Sequence, residues 1–377
     1  MSSTSLKHLR IGIVTWDAPP CTGGLGRAMV GWQKELELLG ADVVILSPVT
    51  HPLLSWTKKI GRHLLMSLLL PFILQRFIDR YPLNMILIPG GPGGLFLFKK
   101  PKRCGVVALC YHTYAQQSAV VPGERWKRIF VPFERMLCRR ADLIVCFADD
   151  SLRSLRRVYN CEHATLITQT FDAAAWAPVA DSSRDPDVCV CVARLDTRKG
   201  IRVLLRAWED VMAAHPSARL ILVGDGLLKP LVDDCCKKEP SIERRSGLSE
   251  DRLRMLLSEA AVAICPSYLE GFGYACAEGL ANGAAVIASD CDGLRSLVHH
   301  EKNGLLVPPG DAKALAASIL RLLQHPDRRS SLSLQAQKDM RLRFSQDRTS
   351  RELQTALLSV CSPRTYGDPP ASSYQAI

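Results

Sequence analysis

Two carboxylates, Glu270 and Glu278, bracket a glycine-rich bend in the run PSYLEGFGYACAEGLANG, with Gly271 and Gly273 between them. Glycine lets the backbone turn tightly there and expose its N–H groups. A helix beginning near Tyr274 turns its positive end toward anything bound in front of it. Glu270 precedes the bend and Glu278 lies one turn inside the helix, so both can reach a cleft while staying apart. Ionised carboxylates accept hydrogen bonds from hydroxyls, and a sugar nucleotide offers hydroxyls at both ends, on the sugar and on the ribose. A glycosidase-type acid pair is the rival reading, but such a pair needs no neighbouring phosphate cradle.

Other stretches supply the cradle. In ARLDTRKG, Arg194 ends a strand and Lys199 comes just before a helix start, two cations suited to the oxygens of a diphosphate. CTGGLGRA holds glycines at 23, 24 and 26 ahead of another helix, where backbone can approach an anion. Neither this loop nor PGGPGG at 89–94 matches GxGxxG, which argues against a dinucleotide oxidoreductase. His112 in LCYHTY sits at a strand end, where a lone histidine is more often structural than catalytic. Asp-x-Asp pairs occur at Asp185–Asp187 and Asp290–Asp292; the first falls in a linker, and the second follows the strand AVIASD and could face the cleft.

The elements behind these loops alternate. LRIGIVTW, ADVVILSP, NMILIPG, GVVALCYH and DLIVCFA read as buried strands separated by helical patterns, and the alternation resumes with VCVCVAR, ARLILVGDG, AVAICPS, AVIASD and GLLVPPGD. That pattern implies parallel sheets covered by helices. The expectation is α/β architecture in two doubly wound, Rossmann-like domains, 1–172 and 188–345, joined by a Pro/Ser/Asp-rich linker, 173–187. A helix over 346–361 then packs back on the N-terminal domain, and 362–377 forms a disordered tail. Ligands of such sheets bind beyond the carboxyl ends of the strands, here in the cleft between the domains.

Composition narrows the setting. The first apolar run, Ile11–Trp16, is too short for a signal-peptide core, and Leu64–Leu74 is too short, and broken by Pro71, to span a bilayer. The 14 cysteines include no CxxC pair and read as buried, reduced thiols of a cytoplasmic chain. The net charge of +11 is concentrated: residues 51–140 hold 15 Lys or Arg against three acids. Such clustering suits an anionic membrane surface or a nucleic acid, and no nucleic-acid recognition module accompanies it. Lys58, Lys59 and Arg62 precede the apolar run and Arg76 and Arg80 follow it, a pattern read either as an interfacial segment or as a core helix with flanking cations.

The combination of these motifs resembles family 4 glycosyltransferases. EGFGYACAEGLANGAAVIASDCDGLRSLV with NGLLVPPGD is similar to that family's nucleotide-sugar motif, VARLDTRKGIRVLLRAW and LILVGDG to its diphosphate region, PPCTGGLGRAMVGWQKELELLGADVVIL to its N-terminal glycine loop, and LCYHTY to its histidine segment. The resemblance implies a GT-B fold and retaining transfer of a hexose from a nucleoside-diphosphate sugar. It implies no metal and no cofactor. By position, Glu270 would bond the sugar hydroxyls, Glu278 the ribose, and Arg194 and Lys199 the departing diphosphate. His112 would touch the sugar. Gly23, Gly24, Gly224, Gly271, Phe272, Gly273 and Tyr274 would line the donor. The acceptor would be a glycan or lipid-linked molecule on the N-terminal domain, with the enzyme peripheral on the cytoplasmic membrane face. A non-catalytic sugar-nucleotide-binding partner subunit is the alternative. QTFD, Gln169–Asp172, departs from the family's usual turn between domains, and the strand framing the base is cramped, which leaves the base open.

Overall fold

The computed structural model describes residues 6–18, 23–51, 62–91, 94–179, 183–344 and 346–360, the side chains of 62–65, 346 and 347 aside. Six parallel strands form the first sheet: β1 (Arg10–Val14), β2 (Asp42–Leu46), β3 (Met85–Pro89), β4 (Gly105–Cys110), β5 (Leu143–Cys146) and β6 (Ala164–Leu166), in the order β2-β1-β3-β4-β5-β6. Six more form the second: β7 (Asp185–Val192), β8 (Arg219–Val223), β9 (Ile242–Arg245), β10 (Ala260–Cys265), β11 (Ala285–Ser289) and β12 (Leu305–Val307), in the order β12-β11-β10-β7-β8-β9. Each sheet reverses its strand order once, between β1 and β3 and between β7 and β10, and the loops leaving those strands therefore flank a crevice. β1 leads to the 23–26 glycines, β7 to Arg194 and Lys199, and β10 to Glu270.

Strands with continuous apolar runs were legible, the edge strands β2 and β12 among them, and the edge strands β6 and β9 were not. ATL and IERR carry no buried period, yet each finds a parallel partner as the sheet's last member. β7 begins at Asp185, inside the stretch read as linker, because Asp185 pairs with Arg219 and Asp187 lies 2.7 Å from His215 Nε2.

Two segments cross between the sheets. The first, Gln169–Phe171, is not an open turn: Gln169 and Thr170 are buried, and Phe171 joins a cluster with Phe272, Tyr274 and Phe344. The second follows Phe344. Helix Gln346–Val360 returns to the first sheet, where Leu353, Ala356 and Leu357 enter the core with Ile11, Trp32 and Met85. Thr168 N donates to Glu352 across 2.7 Å, fixing the two crossings to each other.

Helix Arg62–Arg80 buries Met66, Leu70, Ile73, Leu74, Phe77 and Ile78 under the first sheet, and among its described apolar side chains Leu68 and Phe72 are exposed. The apolar run is thus chiefly core. Lys58 and Lys59, the side chain of Arg62 and the expected 362–377 tail lie outside the described residues. The cysteines among the described residues are free thiols.

Candidate active site

Glu270 sits at the carboxyl end of β10, and three donors converge on its carboxylate. Lys199 Nζ bonds Oε1, Ser267 Oγ donates to the same oxygen across 2.8 Å, and Arg198 Nη1 reaches Oε2 at 3.4 Å. Burial alone would raise this carboxyl, but Lys199 and Arg198 outweigh it and hold the pKa at about 2. Glu270 is therefore a fixed anion and a weak nucleophile. Its partners are placed by a tight turn. Gly200 (φ +68°) ends the short 3₁₀ turn Thr197–Lys199, where a Cβ would lie 1.9 Å from Pro266 O. Only glycine lets the Lys199 turn lie flush against the residues preceding Glu270.

Glu278, on helix Tyr274–Asn282, is buried differently. Arg27 Nη1, from helix Gly24–Leu38 of the other sheet, bonds its Oε1, while Oε2 is buried without a hydrogen-bond partner. Burial raises this carboxyl to about 7, with Arg27 pulling it back down. A buried acceptor left unpaired costs on the order of 1–3 kcal/mol, and here it marks a place where a donor group of a ligand would fit.

The starts of these two helices meet. A Cβ on Gly24 would lie 3.6 Å from Tyr274 Cδ2, and each helix has a glycine at its N-cap, Gly23 or Gly273, which offers no side-chain cap; in the first helix Asp17 Oδ2 accepts the N–H of Gly26 instead. Gly273 takes φ +95°, a conformation that glycine adopts without strain. Two positive helix ends thus abut across the crevice, with Glu270 and Glu278 beside them. Gly271 packs against the first sheet, since its Cβ would fall 2.5 Å from Tyr111 Cβ. Tyr111 is followed by His112, whose buried Nδ1 has no hydrogen-bond partner among the described residues. Burial pushes His112 down to about 3, and the cations of Arg198 and Lys127 act in the same direction against Glu270. Its ring is neutral at every physiological pH.

Several sequence expectations change position. Arg194 does not join Lys199: its Nε bonds Asp196 across 2.6 Å and its side chain is half exposed. Arg198, two residues before Gly200, occupies the place beside Glu270 instead, and TRK contained it without marking which cation turns inward. Phe272 is a core residue of the aromatic cluster, so at most its backbone faces a donor. Tyr274 Oη lies 2.9 Å from the Gln169 side-chain amide, which ties it to the crossing segment. Gly23 is uncrowded, its Cβ position 3.5 Å from Asp17, whereas Gly26 is tight, with Asp17 Oδ2 accepting its N–H across 3.0 Å. Gly224 (φ +152°) keeps the end of β8 against Ala193 O. Arg27 escaped the sequence reading because its partner lies 251 positions away.

Of the Asp-x-Asp pairs, Asp290 bonds Arg295 and Asp292 bonds Ser151. Among the described residues no group of three or more His, Cys, Asp or Glu side chains could hold a metal ion. Nor is any described helix long and apolar enough to cross a membrane.

Comparison with known proteins agrees with this geometry. Residues 186–325 match the family model of glycosyl transferases group 1. An uncharacterized glycosyltransferase of Methanocaldococcus jannaschii is 29% identical over 171 residues, 45% of this chain and 44% of its own length. Glycogen synthase of Mycobacterium tuberculosis is 26% identical over 367 residues, 84% of this chain and 87% of its own. Among solved structures, sucrose-phosphate synthase from Thermosynechococcus elongatus superposes with a TM-score of 0.82 at 22% identity, covering 94% of this chain and all of that one. HepE of Anabaena in complex with UDP-glucose superposes at 0.71 with 17% identity, over 93% of this chain and 100% of its own. At those identities the structural likeness is one of fold. With both sheets arranged as in these transferases, the chain has the GT-B fold and carries a group 1 glycosyl transferase domain over residues 186–325.

Proposed function

We propose that the protein transfers a hexose from a nucleoside-diphosphate sugar to a lipid-linked or glycan acceptor, with retention of configuration and without a divalent metal. One observation carries this reading: two helix N-termini that open on glycine, Gly23 and Gly273, abut in the crevice between two buried glutamates of unlike charge state. A diphosphate fits the helix ends, and the two carboxylates stand where hydroxyls flank it. In this reading Glu278 takes the ribose, displacing Arg27, and Glu270 takes the sugar. Lys199, with Arg198 and a reoriented Arg194, stabilises the negative charge that develops on the departing diphosphate. The N–H groups around Gly271–Tyr274 and the approach at Gly23 and Gly24 supply the rest. Gly224 keeps the floor of the site close-packed. Neutral His112 offers the sugar a hydrogen bond rather than a charge. Glu270, held at about 2 by two cations, is no nucleophile, so a phosphate oxygen of the donor takes the acceptor's proton.

UDP-glucose in the structurally similar HepE supports a sugar nucleotide of that class. The acceptor reading rests on the basic N-terminal half. Its exposed apolar side chains Trp126 and Ile129 stand beside Arg125 and Arg128 in the 3₁₀ helix Arg125–Phe130, and Lys127 lies within electrostatic reach of His112. Cations and apolar groups together suit an anionic lipid surface at the cytoplasmic face. Release of nucleoside diphosphate from UDP-, GDP- and ADP-sugars, with chelator present, tests the catalytic reading. Turnover with one of them is expected. Binding without turnover would favour a partner subunit, and a strict need for magnesium or manganese would refute the metal-free scheme.

A further inference from the structure

Helix Asp149–Tyr159 of the first sheet starts without a cap of its own: its N-cap residue is Ala148, whose side chain accepts nothing. The missing acceptor comes from the other sheet. Asp292 Oδ1 accepts the backbone N–H of Asp150 across 3.0 Å, and Oδ2 accepts Ser151 Oγ at 2.8 Å and Gln116 Nε2 at 3.2 Å. The first is the bond an N-cap aspartate makes to the second residue of its own helix, here made between domains, and the other two anchor the carboxylate to side chains of the first domain. Asp292 is 7% exposed, and its carboxyl is surrounded by donors from two helices of the first sheet. Arg295, on the same short turn, adds a contact of 3.1 Å from Nη1 to Asp150 Oδ2.

The same turn touches both halves of the site. On the first-sheet side, Gln116 Oε1 accepts Thr113 N across 2.9 Å, and Ser151 Oγ lies 3.3 Å from Tyr111 O. The backbone on both sides of His112 is thereby held by the residues that Asp292 engages. On the other side, Gly293 N donates to Glu270 O across 3.1 Å, and a Cβ on Gly293 would lie 2.7 Å from Gly271 C and Phe272 N. Asp292 and Gly293 form a wedge with the histidine segment on one face and the Glu270 segment on the other.

We propose that Asp292 is a positioning residue: by capping helix Asp149–Tyr159 from the opposite domain it locks the closed crevice and sets His112 against Glu270. As regards catalysis this rests on the transferase reading above. The clamp itself is a statement about two domains and is read without substrate.

The experiment compares the wild type with Asp292→Ala, Asp292→Asn and Ser151→Ala. Hydrogen exchange of the ligand-free proteins reads the cap directly. In Asp292→Ala the amides of the first turn, 149–152, should exchange at least 10-fold faster, while the rest of that helix and the melting temperature stay near wild type. Asp292→Asn, which keeps one acceptor oxygen, should fall between. With whichever sugar nucleotide turns over, kcat should drop about 10- to 100-fold while the affinity for its nucleoside diphosphate, which binds the second domain, holds within about 2-fold. The effects of Asp292→Ala and Ser151→Ala on kcat should be less than additive, as for groups that act as one unit. Unchanged exchange at 149–152 overturns the clamp whatever the activity. So would a parallel loss of nucleotide affinity and kcat, which would make Asp292 a local support of its own domain, or fully additive effects of the two variants. If no sugar nucleotide turns over in the wild type, the transferase reading fails and the exchange result still decides the clamp.

Discussion

Replacing Glu278 with glutamine should make the folded protein more stable and the enzyme worse. The carboxyl is raised from its ordinary 4.5 to about 7 by burial, with Arg27 only partly opposing it. Between those values the native chain holds a proton that the unfolded chain has lost. Stability from this group is therefore complete below pH 4.5 and falls as pH rises through 7. A difference of this size corresponds to about 3 kcal/mol. Glutamine keeps the shape and cannot ionise, so it avoids that cost. At pH 8 Glu278→Gln should gain about 1–3 kcal/mol, a rise of several degrees in melting temperature for a domain of this size. At pH 5 the gain should shrink to within about 1 kcal/mol. The same change should weaken nucleoside-diphosphate binding by roughly 1–3 kcal/mol, because a charged hydrogen bond to the ribose is lost. Thermal melts at the two pH values and titration with UDP give both numbers. A variant less stable than wild type at pH 8, or equally shifted at both pH values, would refute the reasoning.

Glu270→Gln should show the opposite pH sign. Its pKa is depressed to about 2, so the ion contributes stability above pH 4.5 that is lost as pH falls through 2, and the variant should melt below wild type at pH 7 with the gap narrowing toward pH 3. Lys199→Ala should lower the transfer rate by roughly 10²–10³, as expected for a preorganised charge stabiliser, in a steady-state assay with chelator present. Gly271→Ala would press a methyl to 2.5 Å from Tyr111 Cβ, so the domains should close less far, seen as a larger radius of gyration by solution scattering and a fall in kcat. Sedimentation with anionic liposomes should fall on raising salt and on changing Trp126 and Ile129 to serine; protein left in the supernatant at low salt would point to a soluble acceptor.

What the sequence conveyed was whatever is local. Apolar runs such as MILI and AAVAIC are buried on both faces and announce central strands, and the glycines at 271 and 273 announce a bend because few residues can replace them there. Glu270 and Glu278 were legible for the same reason, as acids at fixed distances from that bend. Contacts across the crevice were not. Arg27 on Glu278 and Asp292 on Ser151 join residues far apart in sequence, and each alone looks like a surface charge. Which of the cations in RLDTRK turns inward depends on a 3₁₀ turn whose geometry is set by the approach of Gly200 to Pro266. The +11 charge located a basic half but not its face, and the apolar run within it proved to be mostly core.

The most direct test of the central claim is calorimetric titration of wild type, Glu278→Gln and Glu270→Gln with UDP and, separately, with UDP-glucose. If Glu278 holds the ribose and Glu270 the sugar, Glu278→Gln should weaken both ligands alike. Glu270→Gln should leave UDP within about 2-fold of wild type and remove most of the extra affinity for UDP-glucose, on the order of 1–3 kcal/mol. Equal weakening of both ligands by Glu270→Gln, or unchanged UDP binding in Glu278→Gln, would contradict the assignment of the two carboxylates to opposite ends of one donor.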